Sequence, residues 1–170
     1  DRNGELEQSK LPNRSIGNLL LRFSRCIDED KTPPISLAVS SELLSNFLQI
    51  HEDVKYANTS RNNRESIWWI WGPAQAINTG DGVHAMARVA IFEQENFDKN
   101  NLSKDKILHA LKILDECILS VCEGDYLENS FQERANVTVD EILKSVEKQS
   151  NLYGCTIALA GIGNITDTKN

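Results

Sequence analysis

The run Ser103-Lys104-Asp105-Lys106-Ile107-Leu108-His109-Ala110-Leu111-Lys112-Ile113-Leu114-Asp115-Glu116-Cys117-Ile118-Leu119-Ser120-Val121 places Ile107, Leu111, Leu114, Ile118 and Val121 three and four residues apart. That spacing holds them on one face of an α-helix and scatters them over both faces of a strand. Ser103 is an N-cap candidate, and the helix can reach Phe131. No alternating pattern longer than four residues competes with this period anywhere in the chain.

Upstream, Ile16, Leu19, Leu20, Phe23 and Ile27 predict one amphipathic helix, ended by the acidic break from Asp28 to Pro34. Pro33 and Pro34 suit the first turn of a second helix, which carries Leu37, Leu43, Leu44, Phe47, Leu48 and Ile50 to about Val54. Ala57 to Arg64 is polar and reads as a loop. Ile67-Trp68-Trp69-Ile70-Trp71 is a short aromatic piece stopped by Gly72-Pro73, its tryptophans read as packing residues. Ala74 to about Gln94 is a small-residue helix. Its Ala76, Gly80, Ala87 and Ala90 allow close backbone approach, which places it centrally. Phe97 to Leu102 reads as a loop. Thr138 and Glu141 have the spacing of a capping box, opening a last helix with Ile142, Leu143, Val146, Leu152 and Leu159 on its apolar face and Gly161 and Gly163 at its end. The expected fold is an all-α helical bundle forming one domain over residues 1–170.

Composition narrows the function classes. Of 170 residues, 40% are apolar and 25% charged, which excludes disordered and low-complexity chains. With 18 basic against 25 acidic residues the net charge is −7, the wrong sign for a nucleic-acid binder. Cys26, Cys117, Cys122 and Cys155 form no CxxC pair and no zinc-like cluster, and read as reduced thiols of a cytoplasmic protein. No apolar run is long enough to span a membrane. The start, Asp1-Arg2-Asn3-Gly4, has neither a signal peptide nor a Met, as expected of a trimmed or internal piece.

Chemistry concentrates between Ile50 and Asp81. Glu52 and Asp53 are adjacent carboxylates near a helix C-terminus, where the macrodipole disfavours negative charge. Such a pair is more explicable where a cation neutralises it; by charge alone it also reads as a solvated acidic helix end. Arg61 and Arg64 stand one loop away and are candidates to meet an anion. His84 and His109 stand alone and suggest no metal site.

The combined pattern resembles the trans-isoprenyl diphosphate synthase, or polyprenyl synthetase, family in its bacterial branch. His51-Glu52-Asp53, then Arg61, then Trp71-Gly72, then Ala76-Ile77-Asn78-Thr79-Gly80-Asp81 follow the family's first aspartate-rich motif and the segments after it. Gly124-Asp125-Tyr126-Leu127-Glu128 resembles its Gly-Gln-x-x-Asp, and Lys148 and Leu152 fall in register with its Lys-Thr-x-x-Leu. Pro12-Asn13-Arg14 resembles the end of its Gly-Lys-Arg motif. The resemblance implies an isoprenoid-synthase bundle and head-to-tail transfer of a prenyl group from an allylic diphosphate to isopentenyl diphosphate. It further implies Mg²⁺ held at Glu52 and Asp53, catalytic roles for Lys148 and Arg61, and substrate binding by Arg14, Phe47, His51, Arg61, Glu128 and Lys148. Phe47 would floor the pocket. The family also pairs as dimers, so a homo- or heterodimer is expected, with Leu159 and Ile162 as exposed apolar flank.

Departures from the pattern are as informative. The motif's third Asp is Tyr56, its first is Glu52, the second Arg of Arg-Arg-Gly is Asn62 and the Gly is Asn63. Asp125, Glu128 and Gln149 replace the Gln, Asp and Thr of the later motifs. No second aspartate-rich motif follows before Asn170, so one wall of the site is expected here, whether in a fragment or a truncated product. Ligand positions are altered while the scaffold positions Gly72, Ala76 and Gly80 are kept. That asymmetry implies weak or absent turnover by this chain alone, or a non-catalytic partner or regulatory subunit. Glu52, Asp53, Arg61, Glu128 and Lys148 are expected to face one cavity.

Overall fold

In the computed structural model, which describes residues 13–30, 32–96, 98 and 102–164, the three- and four-residue spacing becomes helix in every segment where it occurs. The order is α1 (Ser15–Ile27), α2 (Ile35–Lys55), β1 (Ser60–Arg61), β2 (Arg64–Glu65), α3 (Ile67–Trp71), α4 (Pro73–Phe92), a 3₁₀ turn (Gln94–Asn96), α5 (Lys104–Phe131), α6 (Val139–Gln149) and α7 (Asn151–Asn164). Of the expected loop from Phe97 to Leu102, only Asp98 and Leu102 fall among the described residues.

The central helix is α2, not α4. It packs against α1, α3, α4 and α7, and Leu37, Leu44 and Phe47 lie in one core with Leu20, Ile91, Leu114 and Leu159. Its N-terminus is fixed by Asp98, whose Oδ1 accepts from the backbone N–H of Ile35 at 2.6 Å and of Ser36 at 3.1 Å. A side-chain oxygen that takes up these orphan donors is what a helix start needs. Helix α4 lays Ala76, Gly80, Ala87 and Ala90 against α2 and leaves Ile77, Met86, Val89 and Phe92 exposed, so it is covered on one side only. The reason for glycine at position 80 is plain: a Cβ there would collide with the imidazole of His51.

The loop read over Ala57 to Arg64 contains a small hairpin. Ser60 pairs with Glu65 and Arg61 with Arg64. Its turn residues Asn62 and Asn63 have φ of 53° and 61°. A two-residue hairpin turn favours positive φ at both centres, and asparagine tolerates it better than most residues.

The C-terminal region departs most from expectation. The single last helix is two, broken at Ser150, whose hydroxyl donates to the Glu147 carbonyl at 2.9 Å. A serine that bonds its own backbone competes with helix continuation. The capping box forms as expected: Glu141 N–H donates to Thr138 Oγ1 at 3.3 Å, and Thr138 N–H to Glu141 Oε2 at 2.9 Å. Yet the apolar stripe of α6 is not core. Val139, Ile142, Leu143 and Val146 are 46–70% exposed, and only Ser145 of the helix is buried. Ser145 Oγ instead donates to the Gly124 carbonyl at 2.9 Å. At Gly124 a Cβ would come within 2.9 Å of both the Ser145 carbonyl oxygen and Gln149 Cγ, so glycine lets α6 lie almost on the backbone of α5. Leu159 and Ile162, expected as exposed flank, are buried where α7 packs on α1 and α5. Gly161 and Gly163 do not end α7, which runs through both to Asn164.

Of the three tryptophans, Trp68 donates its indole N–H to the Asn58 carbonyl at 2.7 Å, while Trp69 and Trp71 are about half exposed. All four cysteines are free thiols.

Candidate functional site

A cavity of about 580 Å³ opens between the C-terminal half of α2, the hairpin turn, the C-terminal half of α5 and the α6–α7 junction. Phe47, Leu48, Val121 and Leu152 give it an apolar stretch. Glu52, Lys55, Tyr56 and Asp125, one to two turns further along α2 and α5, join Arg61 of the hairpin and Gln149 of α6 to give it a charged one.

The charged groups form two networks. In the first, Arg61 Nε donates to Asp53 Oδ1 at 2.8 Å, while its Nη2 meets Asp53 Oδ1 at 2.7 Å and Glu52 Oε2 at 2.6 Å. Asn58 Nδ2 donates to the same Asp53 oxygen at 3.2 Å. Asp53 is 6% exposed, so this partnership is what makes its burial tolerable. The Arg61 pKa is raised above its usual value, first by the hydrogen bond to Asp53. The pair at the end of α2 thus has its cation, and that cation is a side chain of this chain.

In the second network Lys55 Nζ donates to Glu128 Oε2 at 2.6 Å and Asp125 Oδ1 at 3.2 Å. Gln149 Nε2 donates to the same two oxygens at 2.9 and 3.0 Å, and the Tyr56 hydroxyl to Glu128 at 2.7 Å. Burial works against the Lys55 charge, but its hydrogen bonds to Glu128, Tyr56 and Asp125 outweigh burial and raise its pKa. Glu128 is held below the usual carboxylate range, chiefly by Lys55 and then by Tyr56. Burial, then the bond to Glu128, raises the Tyr56 pKa.

Of the five residues expected to face one cavity, Glu52 and Arg61 line it, and Phe47 and His51 line it with them. Phe47 does so while remaining core, edge-on to His51 at 4.6 Å and stacked on His84 at 5.2 Å between ring centroids. His51 also faces α4, with Nε2 3.5 Å from Asp81 and 3.4 Å from the Ile77 carbonyl. Asp53 and Glu128 lie one contact behind the wall. Lys148 does not share the cavity. It donates to Glu123 at 2.5 Å beside a separate apolar depression lined by Leu119, Tyr126 and Leu127. Adjacent helical residues point about 100° apart, and on α6 it is Gln149 that faces inward. Arg14 precedes α1 at the surface; its neighbours Asn13 and Ser15 line the cavity mouth, and Pro12 lies outside the described residues.

Lys55 and Gln149 were missed as partners by sequence reasoning. The signal was available: Lys55 lies three residues beyond Glu52, close to its face of α2, and Asp125 and Glu128 are one turn apart on α5.

As folded, these donors do not fit a magnesium ion. The point on which Glu52 Oε2 and Asp53 Oδ1 converge is Arg61 Nη2. The third carboxylate position is Tyr56, and among the described residues no group of three metal-ligating side chains converges.

The polyprenyl synthetase family model matches residues 13–169. Over 151 residues the chain is 26% identical to a geranylgeranyl diphosphate synthase of Methanosarcina mazei, covering 88% of this chain and 45% of that one. Over 147 residues it is 30% identical to a geranylgeranyl diphosphate synthase of Saccharolobus solfataricus, covering 86% and 43%. The structure superposes on a geranylgeranyl pyrophosphate synthetase of Geoglobus acetivorans with a TM-score of 0.79 at 24% identity, over 89% of this chain and 48% of that one. The chain thus spans a little under half the length of these relatives.

Proposed function

Because this chain belongs to the polyprenyl synthetase family, we propose that it supplies one wall of a site for prenyl transfer from an allylic diphosphate to isopentenyl diphosphate. The observation that supports this reading is the joining, in one cavity of about 580 Å³, of an apolar stretch with a charged one. A prenyl tail suits the side of Phe47, Leu48, Val121 and Leu152, and a diphosphate suits Arg61 and Lys55, whose charge-assisted bonds favour phosphate oxygens. Residues 1–170 then form one incomplete isoprenoid-synthase-type domain. Homo- or heterodimerisation would cover the exposed apolar face of α4, and the setting would be cytoplasmic. No helix among the described residues is long and apolar enough to cross a membrane.

The same chain is a poor catalyst alone. Both cations are already bonded to carboxylates of this chain, and Glu42, Glu52, Asp53, Asp125 and Glu128 outnumber them. Unaided, a diphosphate meets a net negative wall. Charge stabilisation at a leaving group is worth several kcal/mol, and each 1.36 kcal/mol is tenfold in rate, so its loss costs several orders of magnitude. A second reading, a non-catalytic partner or regulatory subunit that keeps the helical scaffold, is favoured by Tyr56, whose hydroxyl is committed to Glu128 where the family has a third carboxylate. Magnesium-dependent conversion of a labelled allylic diphosphate with isopentenyl diphosphate tests the proposal. Product from the 170-residue chain should be orders of magnitude below that of a full-length relative, and restored only in a complex or longer parent. Robust elongation by the isolated chain would overturn it.

A further inference from the structure

The hairpin that carries Arg61 is fastened to the residue Arg61 binds. Asn58 N–H donates to the Asp53 carbonyl at 2.9 Å and Asn58 Nδ2 to the Asp53 carboxylate. The Asn58 carbonyl in turn accepts from Ser66 Oγ at 2.6 Å and Trp68 Nε1 at 2.7 Å, both just past the hairpin's return strand. Asn62 and Asn63 close the turn, and the backbone then delivers the guanidinium to both carboxylates. Its Nη2 lies 2.6 Å from Glu52 Oε2 and 2.7 Å from Asp53 Oδ1, so one nitrogen stands where the two carboxylate oxygens converge, at charge-assisted hydrogen-bond lengths.

We propose that Arg61 is a built-in counter-cation that occupies the divalent-ion position of the Glu52–Asp53 pair, an autoinhibitory contact that closes the pair to metal until Arg61 leaves. The competition is unequal. A tethered ligand acts at an effective concentration on the order of millimolar, and a preformed hairpin raises that further. A free ion must also shed water, which Mg²⁺ does reluctantly. With Arg61 removed, two convergent carboxylate oxygens remain, the usual protein contribution to such an ion. The inference rests on the cavity placed above but not on turnover, and its test reads neither substrate nor product.

The probe is Mn²⁺ alone, titrated into the full chain and followed by the electron paramagnetic resonance of the free ion. Wild type should bind weakly. Arg61→Gln should bind one Mn²⁺ at least tenfold more tightly, and Glu52→Gln in the same background should remove the gain. Arg61→Lys, which keeps the charge but reaches fewer oxygens, should lie between and serves if Arg61→Gln fails to fold. Equal Mn²⁺ affinity in wild type and in whichever folded Arg61 variant is measured would overturn the proposal, as would tight binding by wild type.

Discussion

Asp53 and Arg61 are joined through one oxygen: Asp53 Oδ1 accepts from Arg61 Nε at 2.8 Å and lies 2.7 Å from Nη2. An acidic pair at the C-terminal end of α2 is disfavoured by the macrodipole, and this pairing supplies a cation from within the chain. Asp53 is buried and Arg61 only partly so. Arg61→Ala should therefore leave a buried carboxylate without its main partner and cost about 2–3 kcal/mol, the range for losing a charged hydrogen-bonded partner. Urea denaturation of the folded variant, read at unchanged m-value, checks it.

Gly124→Ala should strike the α5–α6 contact. The new Cβ would meet the Ser145 carbonyl oxygen at 2.9 Å, and a backbone atom cannot swing aside. Overpacking of this kind costs about 1–3 kcal/mol. Gly82→Ala is the control, because a Cβ there meets nothing within 4 Å. It should match wild type or gain slightly in thermal unfolding, as alanine favours helix over glycine.

These two glycines show what was legible and what was not. Apolar spacing fixed the helices, and the Thr138–Glu141 capping box was read correctly, because both depend on residues within a few positions of each other. The exposed residues Ile142, Leu143 and Val146 read identically to a core face, since periodicity reports amphipathicity and not what covers it. Lys148 and Gln149 could not be told apart, because their facing depends on how α6 is set down on Gly124, a contact distant in sequence. Among the site residues, Phe47, His51, Glu52 and Arg61 reached the cavity because they lie on α2 or are tied to it by a short hairpin.

Thr138→Ala should loosen the start of α6. The variant loses the side-chain cap on Glu141 N–H and the hydroxyl bond to Glu141, a change worth about 1 kcal/mol. Amide hydrogen exchange should rise in the first turn of α6 and stay unchanged in α2, and equal protection of that turn would refute the cap's role.

The pH dependence has a worked sign. Glu128 is held low by Lys55 first, and Glu141 is pulled to about 2, first by the Thr138 backbone N–H. Their stabilisation is present above the ordinary glutamate value, about 4.3, and is lost as pH falls through the lowered folded values. The Lys55 and Tyr56 pKa values are raised, so their contribution is full below about 10 and is lost as pH rises. Burial lowers the His84 pKa and raises that of Cys122, so losses also begin below about pH 6.5 and above about pH 8.5. Stability should be greatest between about pH 7 and 8 and fall on both sides, and Lys55→Met should reduce the alkaline fall above about pH 10. Denaturation midpoints measured across that range check it.

The most direct test of a wall whose carboxylates Glu52, Asp53, Asp125 and Glu128 are already bonded to Arg61 and Lys55 is thermal unfolding of the wild-type chain with and without Mg²⁺. A ligand that binds only the folded state at a hundred times its Kd adds about 2.7 kcal/mol. With that much at stake, a real metal site would move the Tm by several degrees. The midpoint should be unchanged at millimolar Mg²⁺ beyond the effect of an equal ionic strength of sodium chloride. A saturable, Mg²⁺-specific rise of several degrees in the wild-type chain would contradict it.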